Sequence, residues 1–308
     1  MIRQAKKLVL GGLERVMRRK RRMGKKLLLI AVLLMLCVAA AAYLLKTVGD
    51  MKEQREAAQA EETAAAEQQA AEEAAAQEAA AKKYDSIYAY SGTKDKGKYT
   101  LAAYDSAVEA GSGAIVLPFV VSQDGTLIVA DDDFAQDLTG YSGYFSGMTD
   151  GQIENLQTKS GDKILKLSDV FDKYGRDVHY IIEVKYTSAR NLMALKELIE
   201  KKDYADVVSI SSAYFSGLRT LDNEFPNTPK IFLCSGEEGW AEALNSDYID
   251  AISVSKDLMS DERCKAVQDK KKKFGAGILS SEEDIKKAKE MGADFYFTDE
   301  AALAAGIE

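Results

Sequence analysis

AYSGTKDKGKYTLAAYDSAVEAGSGAIVLPFVVSQDGTLIVAD, residues 89–131, contains the pattern on which the fold turns. It reads as a short strand, a turn, a helix, a buried strand, a hairpin with Asp124-Gly125 at its turn, and a strand running into aspartates. The same alternation continues from Tyr84 onward. Strands are predicted at Ser86–Tyr90, Ala114–Phe119, Tyr180–Lys185, Val207–Ser211, Lys230–Cys234, Ala251–Val254, Gly275–Leu279 and Phe295–Thr298. Helical periodicity lies between them at Leu101–Ala110, Leu167–Tyr174, Ser188–Lys201, Tyr214–Asn223, Trp240–Asn245, Ser260–Phe274 and Glu282–Met291.

Eight strands, each followed by a helix or its remnant within about 225 residues, predict an α/β fold of the (β/α)8 TIM-barrel type. The alternative is a doubly wound open sheet, but no Gly-rich phosphate loop follows the first strand. In a barrel, chemistry gathers at the carboxyl ends of the strands. Those ends offer Tyr90 and Ser91, Val116 to Pro118, Asp131 to Asp133, Glu183 and Lys185, Ser211 and Ser212, Cys234 and Ser235, and Thr298 and Asp299.

Composition divides the chain into 1–26, 27–45, 46–83 and 84–308. Residues 1–26 carry eleven Lys or Arg against the single acid Glu14. Residues 84–308 carry 25 basic and 39 acidic side chains, a net charge of −14. That balance argues against nucleic acid and anionic lipid as partners of this part. Cys37 lies in an apolar run, which leaves only Cys234 and Cys264, in no metal-ligand spacing. Both read as small buried apolar residues.

Leu27–Leu45 is 19 residues without charge or proline. At about 1.5 Å per residue it covers roughly 28 Å, the thickness of a bilayer core, and predicts a transmembrane helix. The basic excess before it places the N-terminus in the cytoplasm and the rest outside the cell membrane as a single-pass protein. A cleaved signal peptide is the competing reading, since Val38–Ala42 offers small residues. Upstream, Ile2, Ala5, Val9, Leu13 and Val16 fit either an interfacial helix or a plain topology-setting cluster. The Ala, Glu and Gln of 46–83 favour a helical stalk or linker, and the lack of large a and d residues gives no support for a coiled coil.

The frame of Tyr84–Ile307 resembles the glycerophosphodiester phosphodiesterase family, a phospholipase-C-like barrel. The family's His-Arg-Gly stands here as Tyr90, Ser91 and Gly92. Its Glu-Asn-Thr is Lys98, Tyr99 and Thr100, followed by the matching Leu101-Ala102-Ala103-Tyr104. Its cation-holding Glu-Leu-Asp is Val116, Leu117 and Pro118. The Asp-Gly hairpin is kept at Asp124-Gly125, whereas the second His of a His-Asp pair is Ala130 beside Asp131. Glu-Ile-Lys survives as Glu183, Val184 and Lys185, and the closing pattern as Gly292, Asp294, Thr298 and Asp299. The final Trp and Asn motif is blurred across Ala276–Ser281.

The resemblance implies acid–base phosphodiester cleavage by two histidines with Ca2+ or Mg2+ stabilising charge. The chain has one histidine, His179, away from both family positions and at the start of a strand. Val116 and Pro118 offer a cation no side-chain oxygen. The expectation is therefore a degenerate member with no catalytic residue and no metal, its ligand-binding candidates being Glu183, Lys185, Asp131 and Tyr90. Glu183 and Lys185, two apart on one strand, are expected to form an ion pair. Tyr90, Tyr99, Tyr141 and Tyr144 are expected near the same rim, where rings suit sugars or polyols. Lys270–Lys273 reads as a charge run at a helix C-terminus.

Three functions fit. The first is a membrane-anchored pseudoenzyme binding an envelope ligand or protein. The second is an active phosphoric diester hydrolase of lipid metabolism, with Asp131 or Glu183 as base and Lys185 steadying phosphate. The third is an architectural module of a membrane complex.

Overall fold

The computed structural model describes residues 86–307, apart from the side chain of Lys94, and scattered positions between 33 and 63. These belong to two units divided after Ala75. In the first, residues 43–49 are helical, and Thr47 Oγ1 donates to the Leu44 carbonyl at 2.9 Å. All of 1–26, most of the expected membrane segment at 27–45 and most of the expected stalk at 46–83 lie outside the described residues. Among the described residues no helix is long and apolar enough to cross a membrane.

The second unit is the predicted barrel. In chain order it runs β1 (Ile87–Ala89), α1 (Leu101–Glu109), β2 (Ala114–Val121), β3 (Leu127–Val129), α2 (Gln136–Thr139), α3 (Asp150–Ile153), α4 (Leu167–Tyr174), β4 (His179–Glu183), α5 (Ala189–Lys202), β5 (Val208–Ser212) and α6 (Phe215–Glu224). It continues β6 (Lys230–Cys234), α7 (Trp240–Asn245), β7 (Ala251–Val254), α8 (Asp261–Asp269), β8 (Lys273–Leu279), α9 (Glu282–Glu290), β9 (Phe295–Thr298) and α10 (Ala301–Ala305). The eight strands other than β3 are parallel, and β1 closes the ring by pairing with both β9 and β2.

These strands are apolar on both faces because each is covered from both sides. Along β2 all eight residues are buried. Ala114, Val116, Ile181, Ile231, Phe295 and Phe297 pack together inside the ring, while Ile115, Leu117, Tyr180 and Ile182 face the helices. Closure rests on a hydroxyl. Ser112 Oγ accepts from Ala89 N at 3.2 Å and shares its proton between the Ile87 and Ala114 carbonyls at 2.9 and 2.8 Å.

β3 forms the expected hairpin, pairing antiparallel with β2 from Phe119 to Val121. Gly125 takes the turn with φ of +97°. The hairpin is bolted to the start of α3, where the Asp150 carboxylate accepts from Ser122 and Thr126 at 2.7 and 2.5 Å. Between β3 and β4 the chain makes an excursion through α2 and α3 that the periodicity did not announce, since each is a single turn of helix.

Several boundaries shift by one or two residues from the sequence reading, and larger consequences follow near Lys270 and Lys185. The helix expected over 260–274 stops at Asp269 with Lys270 as its C-cap, so the expected charge run begins at the helix end but does not lie within its last turn. Lys273 and Phe274 open β8 instead, their amides bonded to Asp250 O and Asp294 Oδ2 at 3.0 and 2.7 Å. Lys272 turns its ammonium into the fold, donating to the Ser246 and Ile249 carbonyls. The strand expected through Lys185 stops at Glu183.

Gly92 shows why the family's glycine persists without the residues before it. Its φ is +92°, and a Cβ there would lie 2.4 Å from Ala103 Cβ and 2.6 Å from the Ala103 carbonyl carbon. Gly111 has a similar φ of +100° but open space around it. Gly92→Ala should therefore cost roughly 1–3 kcal/mol more than Gly111→Ala in denaturant unfolding, the difference being the overpacking alone.

His179 opens β4 at the amino-terminal end of the barrel, its Nε2 2.8 Å from Ser209 Oγ. Burial, with Lys273 nearby, pushes its pKa down to about 4. A folded pKa below the unfolded value means that the unfolded chain binds the proton first as pH falls. Stability of roughly 3 kcal/mol, present above the unfolded pKa, should be lost between about pH 6.5 and pH 4. Unfolding titrations of the parent and His179→Gln should converge in that window, with the variant the less acid-sensitive.

Candidate functional site

The carboxyl ends of β1, β2 and β4 bring together the residues singled out in the sequence. Tyr90 follows β1, its amide held by the Thr298 carbonyl at 2.9 Å. Its hydroxyl donates to Glu183 Oε2 at 3.0 Å. Glu183 ends β4 in register with Pro118 on one side and Ser211 on the other. Only 4% of it is exposed. Burial pushes its carboxyl above the ordinary range, Lys185 and the Tyr90 hydrogen bond pull it back, and Asp131 adds to the rise.

Among the described residues the expected Glu183–Lys185 ion pair is not formed. The strand has ended before Lys185, so the pleat no longer aligns the two side chains. The Lys185 ammonium instead donates to the Asp131 backbone carbonyl, tying the end of β4 to the end of β3. Ala130 is buried, and its amide donates to the Pro118 carbonyl at 3.1 Å. Asp132 and Asp133 serve the local chain: Asp132 Oδ1 accepts from Phe134 N at 2.9 Å, and Asp133 accepts from Ser146 N and Oγ at 2.8 and 2.5 Å.

Tyrosines take up much of the mouth. Tyr99 is 1% exposed with φ of 56°, and its hydroxyl has no hydrogen-bond partner among the described residues. Burial raises its pKa, and its nearest charge influences are Tyr90, Asp131, Tyr104 and Glu183. Tyr104, fully buried, donates to the Val116 carbonyl at 2.9 Å. The expected gathering thus holds for Tyr90 and Tyr99, whereas Tyr141 and Tyr144 stand exposed on the excursion after β3. Ser91 is pinned through its amide and hydroxyl to Asp299 Oδ1 at 3.0 and 2.7 Å. Beside the mouth lies a cavity of about 360 Å3 lined by Lys98, Tyr99, Asp131, Asp137, Thr158 and Lys159 among others.

Sequence reasoning placed Tyr99 at the rim and Ser211 at a strand end, but not the left-handed backbone of the one or the register of the other with Glu183. Ser211 Oγ is buried without a partner among the described residues, in register with Glu183. A non-glycine left-handed residue and a strand-end serine carry no sequence signal of their own. Thr100 could have been found, since a threonine before a helical run marks a cap; its Oγ1 accepts from Ala103 N at 3.1 Å.

With this geometry in place, comparison with known proteins bears on it. The model of the Glycerophosphoryl diester phosphodiesterase family matches residues 89–303. This chain belongs to that family. A relative from Caldanaerobacter subterraneus subsp. tengcongensis, named glycerophosphodiester phosphodiesterase, is 25% identical over 176 residues, covering 52% of this chain and 72% of the relative. Among solved structures, the Thermotoga maritima glycerophosphodiester phosphodiesterase matches with a TM-score of 0.63 and 22% identity over 73% of this chain and 99% of its own. An Oleispira antarctica phosphodiesterase, solved with the product sn-glycerol-3-phosphate, matches with a TM-score of 0.65 and 17% identity over 73% and 97%. Those structural likenesses carry the barrel fold.

A divalent cation does not fit the residues at this family member's mouth. Such ions take about six or more oxygen ligands. Val116 and Pro118 supply none from their side chains, Glu183 already receives Tyr90, and the Lys185 ammonium lies against the Asp131 backbone. Among the described residues no group of three or more His, Cys, Asp or Glu side chains could hold a metal. What the mouth offers is one buried carboxyl of raised pKa, hydroxyls and an ammonium: hydrogen-bonding chemistry on an apolar floor.

A raised folded pKa means that Glu183 contributes stability below its unfolded pKa and loses it as pH rises through the folded one. Glu183→Gln keeps an acceptor for Tyr90 and removes the charge. Its stability relative to the parent should rise as pH increases above the ordinary carboxylate range, and a pH-independent difference would contradict the burial argument.

Proposed function

We propose that this chain is a family member that binds through its barrel mouth without turning over phosphodiesters. It acts at the cell envelope on a ligand or protein partner. One observation carries the reading: Glu183, kept at a family cation position, neighbours Tyr90, Pro118 and Ser211 instead of further carboxylates or an imidazole. His179 sits at the other end of the same strand, four residues or roughly 13 Å away, and cannot serve as proton carrier there. The uncharged run at 27–45 after a basic segment supports a single-pass anchor with the barrel outside the cytoplasm. The net charge of −14 over 84–308 supports a partner other than nucleic acid.

A second reading is favoured by the names of the relatives: phosphoric diester hydrolysis on glycerophosphodiesters, with Glu183 or Asp131 as base, Lys185 steadying phosphate, and Ca2+ or Mg2+ supplied. Incubating the full chain with glycerophosphocholine and glycerophosphoglycerol, with and without either ion, separates the two. The binding reading expects glycerol phosphate release at background. Repeated turnover that Glu183→Ala reduces by about 100-fold or more, as loss of an acid–base group does, establishes the second.

A further inference from the structure

Within residues 86–307 the exposed aromatic side chains are Phe134, Tyr141, Tyr144, Tyr186 and Tyr214. All five stand on the segments that leave the carboxyl ends of β3, β4 and β5. None stands on a helix or at the opposite end of the barrel. Rings scattered singly over a surface need no explanation, but five on one arc form a patch of the kind that marks a binding site.

Several of the rings are linked or braced. Phe134 and Tyr144 pack with ring centroids 5.1 Å apart across a backbone bridge. Asp132 and Asp133 precede Phe134, and Tyr186 lies within electrostatic reach of both aspartates and of Tyr214. The Tyr186 carbonyl accepts from Asn191 Nδ2 at 3.3 Å, and the Tyr214 amide donates to Ser212 Oγ at 3.2 Å. The backbone beneath these rings is therefore braced before any ligand arrives, which lowers the ordering cost of binding.

We propose that this arc is a docking platform for an uncharged glycan, a chain of neutral pyranose units. Four of the five rings are tyrosines, with an apolar face for the C–H side of a sugar and a hydroxyl edge for its polar rim. An acyl chain or apolar helix would call instead for Leu, Met and Phe. Asp132 and Asp133 lie beside Tyr186 in a strongly acidic domain, which disfavours phosphate- or uronate-bearing polymers. Asp133 already accepts two hydrogen bonds and Asp132 one, so a cationic partner finds few carboxylate oxygens unengaged. The platform is independent of the mouth at Glu183 and of whether the mouth hydrolyses esters.

Native electrophoresis of the detergent-solubilised full chain, through gels cast with glycol chitin, soluble starch or hydroxyethyl cellulose, tests the proposal. Retardation is expected in at least one of them. It should weaken at least fivefold in Tyr186→Ala/Tyr214→Ala and, separately, in Tyr144→Ala, while Met193→Ala, an exposed change on α5, migrates as the parent does. Thermal melting by circular dichroism confirms that each variant is folded, and Tyr144→Ala decides the matter should the double variant unfold. Unchanged mobility in all three gels, retardation that survives the folded variants, or a preference for poly-L-lysine or poly(glycerol phosphate) overturns it.

Discussion

Three residues of β1 stand between β9 and β2, and the geometry of the mouth depends on their staying there. So short a strand contributes few ladder bonds, and the Ser112 hydroxyl adds contacts to both Ile87 and Ala89. With the ring closed, Tyr90 emerges 3.0 Å from Glu183 and Ser91 is delivered to Asp299. Opening that seam would separate the partners of the buried carboxyl and leave Glu183 without its neutral donor.

Glu183 and His179 occupy opposite ends of β4, and burial acts on them in opposite senses. Removing water disfavours whichever form is charged, so the carboxyl rises and the imidazole falls. Neither shift needs a catalytic explanation. The barrel interior between them is lined by Ile181, Val116 and aromatic rings, with Tyr88 stacked on Phe295 at 4.8 Å. A low-dielectric column of this kind makes every polar group at its ends expensive unless paired. That is why the hydroxyls of Tyr99 and Ser211, unpaired among the described residues, are notable at the upper end.

Shape and side-chain chemistry are constrained differently at the rim. Gly92 persists because a side chain there would strike Ala103, and Asp299 persists while bonding a serine where the family has arginine. Val116 and Pro118 keep β2 in register with β4 at Ile181 and Glu183 while offering no side-chain oxygen there. Constraints of shape survive substitutions that constraints of chemistry do not.

Much of this could be read from the chain alone. Periodic apolar runs bounded by turn residues determined the eight parallel strands, the Asp124-Gly125 hairpin and most helix limits, because burial pattern and turn chemistry are local properties. The absence of a second histidine and of oxygen ligands at Val116 and Pro118 is likewise a matter of counting. Only the tertiary structure decided where Lys185 goes, since the end of β4 at Glu183 is set by pairing with β5. It also decided that Tyr99 is buried in a left-handed conformation, and that rings from residues as distant as Phe134 and Tyr214 share one arc. Those outcomes depend on which segments meet at the closed rim, and periodicity along a single strand or helix carries no information about that.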